Sequence, residues 1–299
     1  MKKHFLRILD IILVFSVLLI LSNCKGEESD KKTNADTIQI NNTDKIFKFK
    51  EKLFSIPSPF VASDLIKEIS EDFNNDLLNP PENKINYVTT SGKALNLGVY
   101  TADLAYTNIY EQFSATTKYI KVVRSLSSEL QVMNSYTDKV LENFENNLHD
   151  KDSLNKIFTN AYRETDLYLS KNNREDIADL VITGAWTEGL YFMTQIAKVK
   201  SNKQLIDRIG EQKYSLQNLL RLLNNSKFIN KKTNILIEKL NDLNFEFKKI
   251  DIKYKYVNQI VVPNEKKTVI LSETEILITP ELLQNITDKI KEIRRLIVK

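Results

Sequence analysis

The sequence predicts a mainly α protein, a multi-helix bundle that ends in a short C-terminal β-hairpin and a final helix. Three observations predict it. Glycine occurs six times in 299 residues, far below the ~7% of ordinary chains, which leaves little material for the tight turns of a sandwich, a barrel or a phosphate-binding loop. Apolar residues recur at the helical period along most of the chain beyond Ile46. Near the end that period gives way to alternation and a β-branched run. Hydrophobic residues make up 42% and charged residues 27%, the balance of a globular chain rather than a disordered or fibrous one.

The elements follow in order. Ile56-Pro-Ser-Pro59 stiffens the chain and opens the folded part. Leu65, Ile66, Ile69, Phe73 and Leu77 share one helical face, which Asn79-Pro80-Pro81 ends. Ser91 to Tyr110 is read as a helix whose Gly98, Ala102 and Ala105 would let a second helix approach closely. Tyr119, Val122, Val123, Leu126, Leu130 and Met133 repeat the pattern, as do Val140, Leu141, Phe144 and Leu148. Leu154, Ile157, Phe158, Ala161 and Tyr168 mark another helix. Ile177 to Val199 is apolar on more than one face and predicts a central, buried helix. Leu205 to Leu223 gives one more, and Leu236, Leu240, Leu243, Phe247 and Ile250 have the 4-3-4-3 spacing of a coiled-coil seam. Ile252, Tyr254 and Tyr256 alternate with lysines, Pro263-Asn-Glu could turn a hairpin, and Thr268 to Ile278 is β-branched. Thr279-Pro280-Glu281 opens the last helix with an N-cap, an N1 proline and a first-turn acid, and Ile286, Ile290, Ile293 and Ile297 form its buried stripe. The folded part therefore divides into a helical domain over 46–250 and a hairpin-plus-helix over 251–299 packed on the same domain.

The amino terminus carries a different signal. Lys2, Lys3 and Arg7 precede the apolar run Ile11 to Leu21. That run is short of the roughly 20 residues that span a bilayer, and it fits a cleaved secretory signal over 1–23. Residues 25–45 are almost all polar and predict a flexible tether. Removing 1–23 takes away three basic residues and one acidic residue, so the net charge of +4 falls to about +2. No basic patch for nucleic acid stands out, and none is expected as a partner.

Leu21-Ser22-Asn23-Cys24 resembles the lipobox of bacterial lipoproteins, with Asn23 where that family usually has Gly, Ala or Ser. The resemblance implies cleavage before Cys24, a diacylglycerol on its thiol and an acyl chain such as palmitate on its new amine. Cys24 is the only cysteine of the chain, so it stands where that chemistry requires one, and no disulfide or thiolate metal cage is possible. Lys25-Gly-Glu-Glu-Ser-Asp30 resembles the acidic stretch that routes some lipoproteins outward. The resemblance implies export and anchoring to the outer membrane, on its periplasmic face or at the cell surface, with the bilayer as first partner. It covers residues 1–30 only.

Two segments of the mature chain are chemically unusual. On a helix Tyr100, Asp103 and Tyr106 fall at i, i+3 and i+6, so Asp103 can meet both tyrosines. Thr183 to Tyr191 holds two of the six glycines, the only tryptophan, Trp186, and an acid, Glu188, inside an apolar helix. Buried carboxylates need donors, and tyrosine hydroxyls are the expected ones. With the two helices adjacent, Asp103 and Glu188 line a pocket walled by Tyr100, Tyr106, Trp186 and Tyr191, or the same residues close a packed core. In the packed core, Asp103→Asn would cost stability. His149, one of two histidines, sits at a polar helix end, and no Gly-x-Ser-x-Gly elbow accompanies it. No cofactor or metal site is expected. The function expected is that of a non-enzymatic binding or structural module of the envelope, with a small-molecule, glycan or protein partner. The alternative is a glycosidase-like envelope hydrolase using Asp103 and Glu188.

Overall fold

The computed structural model describes residues 59–299, apart from 71, 133–134, 149, 151–156, 158–167, 170, 225–229, 257–259, 263–266 and 270–271. The signal, Cys24 and the tether lie outside the described residues, as do His149, the turn at Pro263 and most of the helix expected from Leu154 to Tyr168. The described chain is a helical bundle with a hairpin and a closing helix. In order it forms α1 (Pro59–Ile69), α2 (Thr90–Ile109), α3 (Phe113–Glu129), α4 (Ser135–Asn146), α5 (Glu175–Val199), α6 (Lys203–Asn224) and α7 (Lys231–Lys248). Strands β1 (Asp251–Tyr256), β2 (Ile260–Val262), β3 (Lys267–Val269) and β4 (Ser272–Leu277) follow, and then α8 (Pro280–Val298).

The central pair is α2 and α5. Side chains on all faces of both are buried, which explains why their sequences lack the one-sided period of the outer helices. They touch through backbone. A Cβ at Gly98 would collide with the Val181 carbonyl and the Ala185 amide, and one at Gly184 would collide with the Leu95 carbonyl. No side chain separates the helices there. Leu95 meets Gly184 near one end, and Tyr106 and Phe192 stack at 4.8 Å toward the other, so α2 and α5 run parallel. The closing helix α8 runs against them: Asn96 Nδ2 donates to the Ile297 carbonyl at 2.9 Å near one end. Its Ile286, Ile290, Ile293 and Ile297 are buried, as the stripe predicts.

Caps follow from sequence. Thr89 opens α2 by accepting from Gly92, Asn230 and Thr233 make a reciprocal box at α7, and Thr279 accepts from Leu282 ahead of Pro280. Scarce glycine shows at the helix ends. Glu111, Gln131 and Asn173 take the left-handed backbone position (φ 57°, 53° and 54°) that glycine usually fills. Each is followed by an amide that reaches back five residues, as with Gln112 to the Thr107 carbonyl at 2.9 Å.

One difference from expectation has a tertiary cause. The helix expected through Leu77 stops at Ile69, and Asn75–Leu77 forms a separate turn of 3₁₀ helix. Tyrosines from α2 take over the backbone groups freed there: Tyr110 Oη donates to the Ser70 carbonyl at 2.6 Å, and Tyr106 Oη accepts from the Asn74 amide at 3.2 Å. The C-terminal hairpin forms as the alternation and the β-branched run predict. β1 pairs antiparallel with β4 from Asp251–Leu277 to Tyr256–Ser272, and β2 pairs with β3 beyond them. Its root is fastened to α6, where Gly210 leaves the room that Ile276 fills and Lys213 Nζ donates to the Ile250 carbonyl at 2.8 Å.

Candidate functional site

Asp103 on α2 and Glu188 on α5 are completely buried and in hydrogen-bond contact with each other. A third residue completes the group. Arg294 of α8 donates through Nε to both Glu188 oxygens at 2.9 and 2.8 Å, and through Nη2 to Oε1 at 2.7 Å. Its Nη2 also donates to the Leu77 carbonyl at 2.9 Å. The guanidinium lies 4.3 Å from the centre of the Tyr191 ring, a cation–π contact.

The protonation pattern follows from burial and charge. Burial raises the Asp103 carboxyl well above the usual carboxylate range, and the Glu188 charge raises it further against the opposing pull of Arg294. Burial also raises Glu188, but Arg294 and the hydrogen bond from Asp103 act the other way. Burial works against the charge of Arg294, and Glu188 more than restores it. The state that satisfies all three is a neutral Asp103 donating its proton to an ionised Glu188, which a charged Arg294 clasps. The net charge of the three residues is then zero. Asp103 Oδ1 meets no donor, as suits a carboxyl that keeps its own proton, and Oδ2 accepts from the Asn79 amide at 3.4 Å.

Around the acids, the tyrosines serve the loop rather than the carboxyls. Tyr100 Oη donates to the Pro80 carbonyl at 2.9 Å, Tyr119 Oη to the Asn79 carbonyl at 3.1 Å, and Tyr87 Oη to the Val298 carbonyl at 3.1 Å while accepting from Asn79 Nδ2 at 3.0 Å. Asn79-Pro80 is thereby held by amide, carbonyl and side chain at once. Burial raises the hydroxyls of Tyr100 and Tyr119 far above the ordinary tyrosine range, so both stay protonated and donate.

Of the six residues singled out from sequence, the structure brings Asp103, Glu188 and Tyr191 together. Tyr106 and Tyr100 are buried on the same helix as Asp103, but their hydroxyls are spent on Asn74 and Pro80. The expected tyrosine–carboxyl hydrogen bonds are therefore not the ones made, because nearer backbone carbonyls and the Asn74 amide take the hydroxyls. Trp186 turns to another face of α5, where its Nε1–H donates to Gln212 Oε1 at 3.0 Å. The sequence reading missed Arg294, Asn79, Tyr87 and Tyr119. Arg294 carried a signal: it falls four residues after Ile290 and three before Ile297, inside the apolar stripe of α8. A cation there answers the question of what two buried acids pair with.

The two carboxyls touch, closer than the ~5 to 9.5 Å that glycoside hydrolysis needs for sugar and water between them. Arg294 occupies the place a bound cation would take. Among the described residues no group of three or more His, Cys, Asp or Glu gathers as a metal site, and no helix is long and apolar enough to cross a membrane. Compared with known proteins, the chain matches no family model, no curated protein and no solved structure.

Proposed function

We propose that the protein is an exported lipoprotein, anchored through acylated Cys24, whose helical unit is a non-enzymatic binding or structural module of the bacterial envelope. The observation that carries the anchor is the placement of the only cysteine, three residues after the eleven-residue apolar run Ile11–Leu21. Support for the module's being non-enzymatic comes from the candidate acids. Asp103 and Glu188 are sealed from solvent and neutralised by a shared proton and by Arg294, so neither carboxyl is free to exchange protons with a substrate. The tether of ~20 residues gives the folded unit a root-mean-square reach of roughly 25 Å from its anchor.

The test is metabolic labelling of cells with an alkyne analogue of palmitate, comparing the wild-type chain with Cys24→Ala. Label in the first and none in the second, with protease shaving of intact cells to read the membrane face, is the expected result. An unlabelled wild-type chain that migrates at its full precursor mass refutes the anchor.

A further inference from the structure

One end of the bundle gathers features that the buried acids do not explain. Three hydrogen bonds assemble it: Tyr87 Oη to the Val298 carbonyl at 3.1 Å, Asn96 Nδ2 to the Ile297 carbonyl at 2.9 Å, and Asn230 Nδ2 to Ser91 Oγ at 3.2 Å. They bring the loop before α2, the N-terminus of α7 and the C-terminus of α8 to the same end. Two large apolar side chains of that loop, Ile85 and Val88, are 81% and 79% exposed. They flank Tyr87, which is buried.

Beside them α7 and α8 form an open groove of about 510 Å³ lined by Lys232, Lys239, Glu292, Arg295, Leu296 and Lys299. Lys239 pairs with Glu292 at 2.6 Å. Among the described residues Lys232, Arg295 and Lys299 make no ion pair, and Lys232 is half-buried, its ammonium held below the usual lysine range by that burial. Of the acids at this end, Glu82 stands exposed three residues before Ile85, and three others are engaged. Glu129 is clasped by Lys84 and by Lys93, which hold its carboxyl down at about 2. Glu175 and Asp176 sit in the first turn of α5, where the helix dipole favours them. The N-termini of α2 and α7 point their positive ends the same way, while the last carbonyls of α8, the negative end, are consumed by Asn96 and Tyr87. Exposed aliphatic side chains rimmed by unpaired cations are the chemistry of a face that meets phosphate-bearing lipid, since each basic group near such a surface gains attraction and each apolar group gains burial.

We propose that this end of the bundle docks on an anionic bilayer surface, with Ile85 and Val88 entering the headgroup layer and Lys232, Arg295 and Lys299 meeting its phosphates. The proposal rests on the lipoprotein reading only for bringing the unit near a membrane. Docking would fix the orientation of the folded unit on its tether and leave the opposite end, with Val199 (78% exposed), facing away.

The test reconstitutes the full chain into vesicles and places an environment-sensitive dye on Val88→Cys or, as control, Val199→Cys. An acylated Cys24 takes no dye. A wild-type chain that is labelled shows a free Cys24 and so refutes the anchor separately, and Cys24→Ser then restores a single thiol. With brominated phosphatidylglycerol vesicles the dye at position 88 is expected to be quenched several-fold more than at 199. With phosphatidylcholine vesicles, at about 0.5 M salt, or in Lys232→Glu/Arg295→Glu/Lys299→Glu, the difference is expected to disappear. Equal quenching at 88 and 199 on the anionic vesicles overturns the proposal, as does quenching at 88 that ignores lipid charge and salt. These two arms decide the matter even if circular dichroism shows the triple variant to be misfolded.

Discussion

Replacing Arg294 with methionine keeps the apolar stem of the side chain as far as the position of Nε and removes the charge and the donors. Glu188 then loses three hydrogen bonds of 2.7–2.9 Å and its counter-charge, and the Leu77 carbonyl loses its donor. Deleting one partner of a buried ion pair costs about 3–5 kcal/mol. A second route to the number agrees. Glu188 can escape by taking up a proton, and from an unfolded value of 4.5 that costs about 3.4 kcal/mol at pH 7 at 1.36 kcal/mol per unit. The variant should therefore be less stable by about 3–4 kcal/mol at pH 7, lowering the melting temperature by about 6–16 °C for a domain of this size. The sign with pH is fixed by the same argument. A folded carboxyl pKa raised above the unfolded one makes stability fall as pH rises between them, so the deficit should shrink toward about 1 kcal/mol at pH 5. Urea unfolding followed by circular dichroism at the two pH values reads both numbers. Glu188→Gln combined with Arg294→Met should recover part of the loss, because no charge is left stranded. A loss under about 1 kcal/mol at pH 7, or an equal loss at pH 5, would refute the ionised Glu188–Arg294 pair.

Three further outcomes follow from the structure. Gly98→Ala and Gly184→Ala, which drive a methyl group into the facing helix backbone, should each cost about 3 kcal/mol or more; Gly189→Ala, whose Cβ would sit 3.7 Å from that of Ala62, should instead gain about 0.5–1 kcal/mol, and thermal melts of the three variants decide it. Asp103→Asn should remove a pH dependence: the folded carboxyl holds its proton above the unfolded value near 3.8, so wild-type stability falls as pH rises through that interval, while the amide still donates to Glu188. Urea midpoints from pH 4 to 8 should diverge in the variant's favour, and parallel profiles would sink the held proton. This reverses the cost that the sequence predicts for that substitution, since the packed-core expectation has Asp103 accept hydrogen bonds rather than donate one. Glu111→Gly and Gln131→Gly, at left-handed positions, should each stabilise by about 1 kcal/mol, and an unchanged denaturant midpoint would show those turns to be unstrained.

Helix positions were legible because most of this chain packs one face outward. Val140, Leu141 and Phe144, or Leu236, Leu240 and Leu243, mark buried stripes that the structure repeats. Residues 177–199 were legible for the opposite reason, since a run apolar on several faces has no solvent side to present. The period failed at Phe73 and Leu77. Both fall on the extrapolated face of α1, but hydroxyls from Tyr106 and Tyr110, more than thirty residues away, satisfy a broken backbone there as well as a helix would. The candidate acids could be picked out as misfits in apolar surroundings. Their partners could not, because hydrogen-bond reach between residues 188 and 294 is a property of the packed bundle. Arg294 was the exception: a cation within an isoleucine stripe is as much a misfit as an acid within one.

Parallel packing of α2 on α5 poses a problem of register. Small residues at the seam let two backbones approach, yet a smooth seam of Gly and Ala admits sliding, since dispersion between such surfaces changes little with a shift along the axis. Two devices oppose a slide. Gly98 faces the Val181 carbonyl and Gly184 faces the Leu95 carbonyl, so a shift of even one residue would set a side chain where only hydrogen fits. The Asp103 proton also reaches Glu188 at one relative height, and there alone can Arg294 bond Glu188 and Leu77 together. Any other register would strand a charge away from water, at a cost comparable with the stability of a whole domain's margin. An apolar replacement of all three residues could equal the wild type in stability and still lose this discrimination. We therefore place the role of the triad in selecting one arrangement of α2, α5 and α8. A variant carrying Asp103→Leu, Glu188→Leu and Arg294→Met tests it: unfolding free energy near that of the wild type, with broadened amide and methyl resonances, is the expected result, and sharp single-state spectra would refute it.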